Sequence, residues 1–284
     1  MKMLASDNMA GRKFATAQSI TAQNYIISSL LKSNVQPFQN KFHHRFKHKS
    51  LFSTKEGSNI IGYVKGVSVP NQFIVLSAHY DHLGKKGAHI YNGADDNASG
   101  VAALLVFGEV IAKNPLRHSV IFLFTDAEEV NLLGAKAFIH QQKLMLAQIR
   151  LNINIDMIAG SKNTSTLHFI ENRLEKILPK NKINPLTVLA SNSTIKIKRD
   201  FKRKNYKSLN RVNWTNASDH GPFNRNKIPF IYFGVGEHKN YHTPRDDFEH
   251  VNLEFYQQAC HLIFQYLNFF DENIIVLENN NLTN

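Results

Sequence analysis

Apolar residues recur at helical spacing between Ala15 and Lys32 (Ile20, Ala22, Tyr25, Ile26, Leu30, Leu31), which predicts an amphipathic helix. Two short runs follow, 59–64 and the continuously apolar FIVLSA of 73–78, and both read as strands. A helix is expected over 98–112, with Asp96, Asn97 and Ser99 as candidate caps. VIFLF (120–124) reads as a buried strand, 132–142 as a helix and IRLNINI (149–155) as a strand. Further along, 166–170 and PFIYF (229–233) predict strands, 174–178 a short helix and 255–270 a closing helix. Strands alternating with helices, several apolar on both faces, indicate a three-layer α/β/α sandwich around a central mixed, mostly parallel β-sheet.

Nothing resembling a repeat or a long Gly/Pro/Ser linker divides the 284 residues, so one domain spanning 1–284 is expected. It would have an N-terminal helical segment over about 1–50 and a frayed tail over about 278–284. A chain with 43% hydrophobic residues builds its core without a structural metal, so a metal site here would be catalytic. The single cysteine, Cys260, forms no disulfide within the chain and reads as a small core residue.

The formal net charge of +12 changes little, because much of it is local to 196–211 (KIKRDFKRKNYKSLNR). That segment lacks the Gly-rich or aromatic pattern of a nucleic-acid module and reads as a solvated loop or sheet edge. No nucleic acid is expected as a partner. No apolar run approaches the roughly 18 residues of a membrane span, and MKMLASDNMAGRKF carries no signal-peptide core.

The polar clusters stand where strands end. FIVLSA runs into His79-Tyr80-Asp81-His82, VIFLF into Thr125-Asp126-Ala127-Glu128-Glu129, and LNINI into Asp156. PFIYF is followed by a loop carrying Tyr241 to Asp246, and Asp95-Asp96-Asn97 opens the long helix. Ligands of α/β sheets bind outside the carboxyl ends of the strands. Histidines and carboxylates gathered on that rim repel unless a cation neutralises them, and the mixture suits zinc or a similar divalent ion.

The blocks SAHYDHLG (77–84), NGADDNASGVAALL (92–105), FTDAEEVNLLGAKAF (124–138), NIDMI (154–158), SDHGPF (218–223) and YHTPRDD (241–247) resemble the signature blocks of the M28 zinc peptidases, in family order. The resemblance implies a zinc-exopeptidase-like fold and an aminopeptidase with two zinc ions, acting on peptides with a free N-terminus. Asp95 would bridge the metals, with His79 and Asp156 completing one site and Glu129 and His242 the other. Glu128 would be the general base. A cis peptide is expected between Asp95 and Asp96. Asp81 would orient His79, Asp246 would support the His242 loop, Asp96 would act beside Asp95, and Ser218 would donate near the reacting carbonyl. His82 and His89 read as loop histidines without metal. The first-residue pocket would lie between the loops around 214–223 and 232–241, with the basic segment flanking it and favouring acidic peptides.

Two rivals share the fold. Glutaminyl cyclases use one zinc and do not keep the Asp95-Asp96 pair, and non-catalytic M28-like scaffold domains have lost ligands. The stretch 36–58 leaves no room for an inserted protease-associated domain. LASDNMAGR resembles the start of the mature region of exported bacterial members, which points to a periplasmic or secreted location, with the cytoplasm as the alternative.

Overall fold

Runs that are apolar at every position become strands with helices on both faces, because alternate side chains leave a strand in opposite directions and each needs a partner. In the computed structural model, which describes residues 1–49, 53–182, 193–200 and 214–277, that division is plain. A 3₁₀ turn (Asp7–Arg12) leads into α1 (Ala17–Lys32), whose Thr16 hydroxyl accepts the Ser19 N–H as a cap. β1 (Gln36–Pro37), β2 (His43–Lys49), β3 (Thr54–Val64) and β4 (Val69–His79) follow, then a small hairpin of β5 (Gly84–Lys86) and β6 (His89–Tyr91). α2 (Gly100–Lys113), β7 (His118–Thr125), α3 (Leu133–Gln141), β8 (Ile149–Ile155), β9 (Thr166–Asn172) and β10 (Lys196–Arg199) come next. The described chain closes with α4 (His220–Arg225), β11 (Phe230–Gly234) and α5 (Leu253–Asn273).

Nine of the described strands form one mixed sheet in the order β1-β3-β7-β4-β8-β11-β9-β10, with β2 also paired to β3. β7, β4, β8 and β11 are mutually parallel across its centre, and β3 and β9 run antiparallel to them on either side. Ile60, Ile74, Leu76, Phe122 and Phe124 face one way, into a core shared with α1, α2 and α5. Their neighbours Ile61, Val75, Ile121 and Leu123 face the other way, onto Phe138 of α3 and Phe223 of α4. Each such side chain, fully buried, contributes about 1.5–3 kcal/mol. The period of α5 is equally legible: Phe255, Ala259, Leu262, Ile263, Tyr266 and Phe270 are buried, and Asn252 caps the helix by accepting the Phe255 N–H.

The apolar strands are present, and so are the predicted helices apart from 174–178. Five of these elements are longer than expected: β3 begins at Thr54, β4 spans Val69–His79, β7 spans His118–Thr125, β9 ends at Asn172 and α5 ends at Asn273. Two expectations change. The segment 1–50 is helical only in its first part, because β1 and β2 occupy its second. The helix expected over 174–178 is a single 3₁₀ turn, Leu174–Lys176. The start of the basic segment is the edge strand β10, paired in parallel with β9, while 201–211 and the tail from 278 lie outside the described residues. Burial pushes the Cys260 thiol up to about 12, so it is protonated and inert.

Candidate metal centre

Because β4, β7, β8 and β11 are parallel, their carboxyl ends share one rim. His79 is the last residue of β4, Asp156 follows β8, and Glu128 and Glu129 follow β7. Asp95 and Asp96 sit in the turn leading into α2, and His242 on the loop beyond β11. Left-handed backbone at Ala127 (φ 56°), Met157 (φ 61°) and His242 (φ 54°) turns the chain sharply at three of these positions. Each costs about 1–3 kcal/mol and persists only where the surroundings over-determine it. A Cβ on Gly100 would lie 2.4 Å from the Ile155 carbonyl oxygen, so glycine lets the start of α2 meet the end of β8.

His79 Nε2 lies 3.2 Å from Asp96 Oδ1 and 3.2 Å from Asp156 Oδ1. His242 Nε2 lies 3.1 Å from Asp96 Oδ2 and 3.4 Å from Glu129 Oε1. Ligand atoms of a four-coordinate zinc, each about 2.0–2.2 Å from it, stand roughly 3.3 Å apart. The donor set and its spacings therefore fit that ion. The candidate ligands form two groups, His79 with Glu128 and Asp156, and His82 with Asp96, Glu129 and His242; within each, the donor atoms lie within 4.8 Å of one another.

Asp95, the expected bridging residue, is not among them, and its neighbour Asp96 is. Its Oδ1 accepts the Ala159 and Gly160 N–H groups, each at 2.7 Å, and its Oδ2 lies 2.8 Å from His238 Nε2. That carboxylate is consumed in holding the loop after Asp156. Asp96, expected only to assist, stands between His79 and His242 instead. The cis peptide shifts likewise, to Asp96–Asn97.

The supporting residues also differ from expectation. Asp81 accepts the Glu128 N–H at 2.9 Å and the Glu129 N–H at 3.3 Å, whereas His79 Nδ1 meets the Asp81 main-chain oxygen at 3.1 Å. Asp246 does not brace His242; its two oxygens accept the Asp95 and Asp96 N–H groups at 2.8 and 3.0 Å. Ser218 lines the cavity, and its hydroxyl accepts from the Asn154 amide at 2.9 Å. His220 is buried in the wall with its pKa lowered to about 4 by burial, so it is neutral and bonds Trp214 O through Nε2. His89 is exposed on β6, away from both groups.

Two residues escaped the sequence reading. His238 holds Asp95, and the only sequence signal for it is its place four residues before His242. Arg12 is fully buried and donates to the carbonyls of Leu4, Tyr80, Asn92 and Gly93, tying the first turn to the loop that carries Asp96. Burial lowers its pKa to about 10 against the opposing pull of Asp246, Asp81, Asp96 and Glu129, so it stays charged at neutral pH.

Electrostatically the cluster demands positive charge. Burial disfavours a proton on His79, yet Asp156 and Glu128 outweigh it and raise its pKa well above the usual value. His242 rises to about 10, because Asp96 and Glu129 outweigh its partial burial. Without a cation, protons on the histidines take that place, and metal binding would release them. Burial raises Glu128 well above the ordinary carboxyl range, with His79 opposing. It also brings Asp219, which accepts from the Thr125 hydroxyl, to about 6. The cluster opens into a cavity of about 220 Å³ whose far wall includes Trp214, Ser218, Glu237 and Tyr241.

Comparisons with known proteins bear on the family and the fold. Residues 59–267 match the family model for peptidase family M28. Aminopeptidase YwaD of Bacillus subtilis is 28% identical over 221 residues, covering 75% of this chain and 44% of that protein, so the chain spans less than half of that relative. The fold resembles BSAP, a zinc aminopeptidase from Bacillus subtilis, with a TM-score of 0.58 and 24% identity over 76% of this chain and 50% of that one. It also resembles the glutaminyl cyclase of Macrostomum lignano, with a TM-score of 0.73 and 15% identity over 95% of this chain and 88% of that one. With the match covering most of its length and the rim residues of all six blocks gathered around one cavity, the chain belongs to peptidase family M28.

Proposed function

We propose that the chain is a zinc-dependent aminopeptidase that removes the first residue of peptides with a free N-terminus, using two zinc ions. The observation that carries this reading is the position of Asp96, whose two oxygens face histidines of opposite halves of the cluster, as a carboxylate shared by two cations must. Asp96, Glu128, Glu129 and Asp156 bring four negative charges when ionised, which two divalent ions would balance. His79 and Asp156 would hold one ion, Glu129 and His242 the other, and Asp96 both.

Bound zinc supplies the Lewis acidity that makes water a nucleophile near neutral pH and polarises a carbonyl. Glu128 would take a proton from water held at the centre and pass it to the leaving amine. Burial raises its carboxyl above the ordinary range, the direction that favours a general base over a spectator carboxylate. Asp81 fixes the Glu128 and Glu129 main chain, so base and ligand keep their separate directions. The substrate's amine would sit among the carboxylates of the rim, with Glu237 on the cavity wall, and Ser218, which lines the same cavity, would donate near the carbonyl.

A glutaminyl cyclase is the second reading, favoured by the near full-length superposition on a cyclase. A scaffold without activity is opposed by the complete donor sets. Location in the periplasm or outside the cell rests on the likeness of LASDNMAGR to exported members; among the described residues no helix is long and apolar enough to cross a membrane.

Aminoacyl-chromophore substrates, free and N-acetylated, test the reading, run with chelator and with zinc restored. The expected result is cleavage of the free-amine substrates alone, abolished by chelation and recovered with about two zinc ions per chain. Cleavage that survives chelation, or that ignores the acetyl group, overturns it. Cyclisation of N-terminal glutamine with one zinc per chain would establish the cyclase.

A further inference from the structure

We infer that His82 is a fourth protein ligand of the half-site formed by Asp96, Glu129 and His242, binding through Nδ1, so that this half is closed and the His79–Asp156 half keeps the open position. The inference rests on the two-metal reading above.

His82 is 1% exposed, and among the described residues neither of its ring nitrogens has an aligned hydrogen-bond partner. Its Nδ1 nevertheless stands 2.8 Å from Glu129 Oε1 and 3.7 Å from Asp96 Oδ2. Glu129 Oε1 is itself buried and, among the described residues, receives no aligned hydrogen bond. Buried polar atoms are normally satisfied, and leaving one unpaired costs about 1–3 kcal/mol. Two such atoms, brought together without hydrogen-bond alignment, are accounted for by a cation that takes a lone pair from each. The ring would then carry its proton on Nε2.

The backbone also makes room for this ring. Gly93 is left-handed at φ 56°, and a Cβ there would come within 2.6 Å of the His82 ring and 2.2 Å of the Asp96 carbonyl oxygen. The His82 and His242 rings meet edge-on with centroids 5.7 Å apart, so both approach the Glu129 carboxylate from neighbouring directions. The other half-site has no such addition. Besides His79, Asp156 and the shared Asp96, the carboxylate within reach is Glu128, the proposed base. Zinc sites closed by four protein ligands hold the ion, whereas three protein ligands leave a position for water or substrate. Substrate carbonyl and water would therefore engage the His79–Asp156 half.

The test uses the full chain labelled with ¹⁵N-histidine and loaded with ¹¹³Cd. Three histidines are expected to show one-bond coupling to cadmium, His79 and His242 through Nε2 and His82 through Nδ1. Removing a residue outside the coordination sphere weakens metal binding by about 10–100-fold; H82A, measured in buffered free zinc, is expected to weaken one site by more than that and leave the other unchanged. Two bound cadmium ions coupled to His79 and His242 alone would overturn the inference and leave the two-metal reading standing. A wild-type chain that binds fewer than two ions would overturn both. If H82A does not fold, the wild-type coupling pattern decides.

Discussion

The two halves of the cluster are positioned by different physics. His79 and Asp156 stand at the ends of neighbouring parallel strands, where the register that pairs Ser77 with Asn154 also sets the two ligands side by side. The other half has no such ruler. His82, Asp96, Glu129 and His242 come from a strand extension, a turn and two loops, fixed by side chains that bind backbone: Asp81 at Glu128 and Glu129, and Asp246 at Asp95 and Asp96. A sheet tolerates single substitutions around it, but a loop held by a few hydrogen bonds does not. The loop-built half should therefore be the more easily disturbed, and the strand-built half the more exacting in its chemistry.

The largest effect is expected at Glu128, which lies by distance with the strand-built half. E128Q keeps the shape of the side chain and removes the basic carboxylate, so kcat should fall by about 10²–10⁴-fold while zinc content stays at the wild-type level. Parallel assays of turnover and bound zinc check this. If zinc falls as far as activity does, Glu128 is a ligand, and the division between base and ligand at 128 and 129 is wrong.

Asp95 and Asp96 provide the next largest contrast. D96N removes the carboxylate facing both halves and should weaken zinc binding at each. D95N should weaken it by about 10–100-fold, because Asp95 acts through the loop at Ala159–Gly160 and through His238. Competition with a zinc-binding dye ranks the two. A D95N loss as large as that of D96N would return the shared carboxylate to Asp95.

These contrasts follow the line between what could and could not be read from the sequence. FIVLSA and VIFLF are apolar at nearly every position and LNINI alternates isoleucine or leucine with asparagine, so their strand character and ends were legible, and His79, Glu128, Glu129 and Asp156 with them. Asp96 rather than Asp95 reaches the cluster, because adjacent acidic residues in a turn point in different directions and only the backbone path decides which faces the rim. His82 was read as a loop residue because nothing in its spacing reports that the loop is buried. Asp246 was assigned to its chain neighbour His242, whereas its partners lie about 150 residues earlier. β2 (HHRFKHK) escaped because an edge strand exposed on one side carries no continuous apolar run, whereas the charge of KIKR was enough to suggest a sheet edge, which β10 is.

The smallest effect belongs to the opposite rim, where β7 begins. Asp271 of α5 accepts the His118 N–H at 2.8 Å and the Arg117 N–H at 2.9 Å, and meets His118 Nδ1 at 2.9 Å. Burial alone would raise this carboxyl, but the bonds from His118 and from the backbone outweigh it and lower the pKa below its ordinary value. A depressed folded-state pKa means that the ionised form binds its partners in the folded protein and not in the unfolded one. The stability it contributes is fully present above the unfolded value of about 3.9 and is lost as pH falls through the lower folded value. D271N should therefore cost about 1–3 kcal/mol at neutral pH, lowering Tm by about 2–4 °C for each kcal/mol. Its stability should also fall less steeply than that of the wild type below about pH 4. Since this pair anchors the far ends of the strands, kcat/KM of the folded variant should equal that of the wild type. A kcat/KM that dropped along with Tm would mean that strand ends on one rim set the metal ligands on the other, and the strand-built half would then depend on distant bonds as much as the loop-built half depends on near ones.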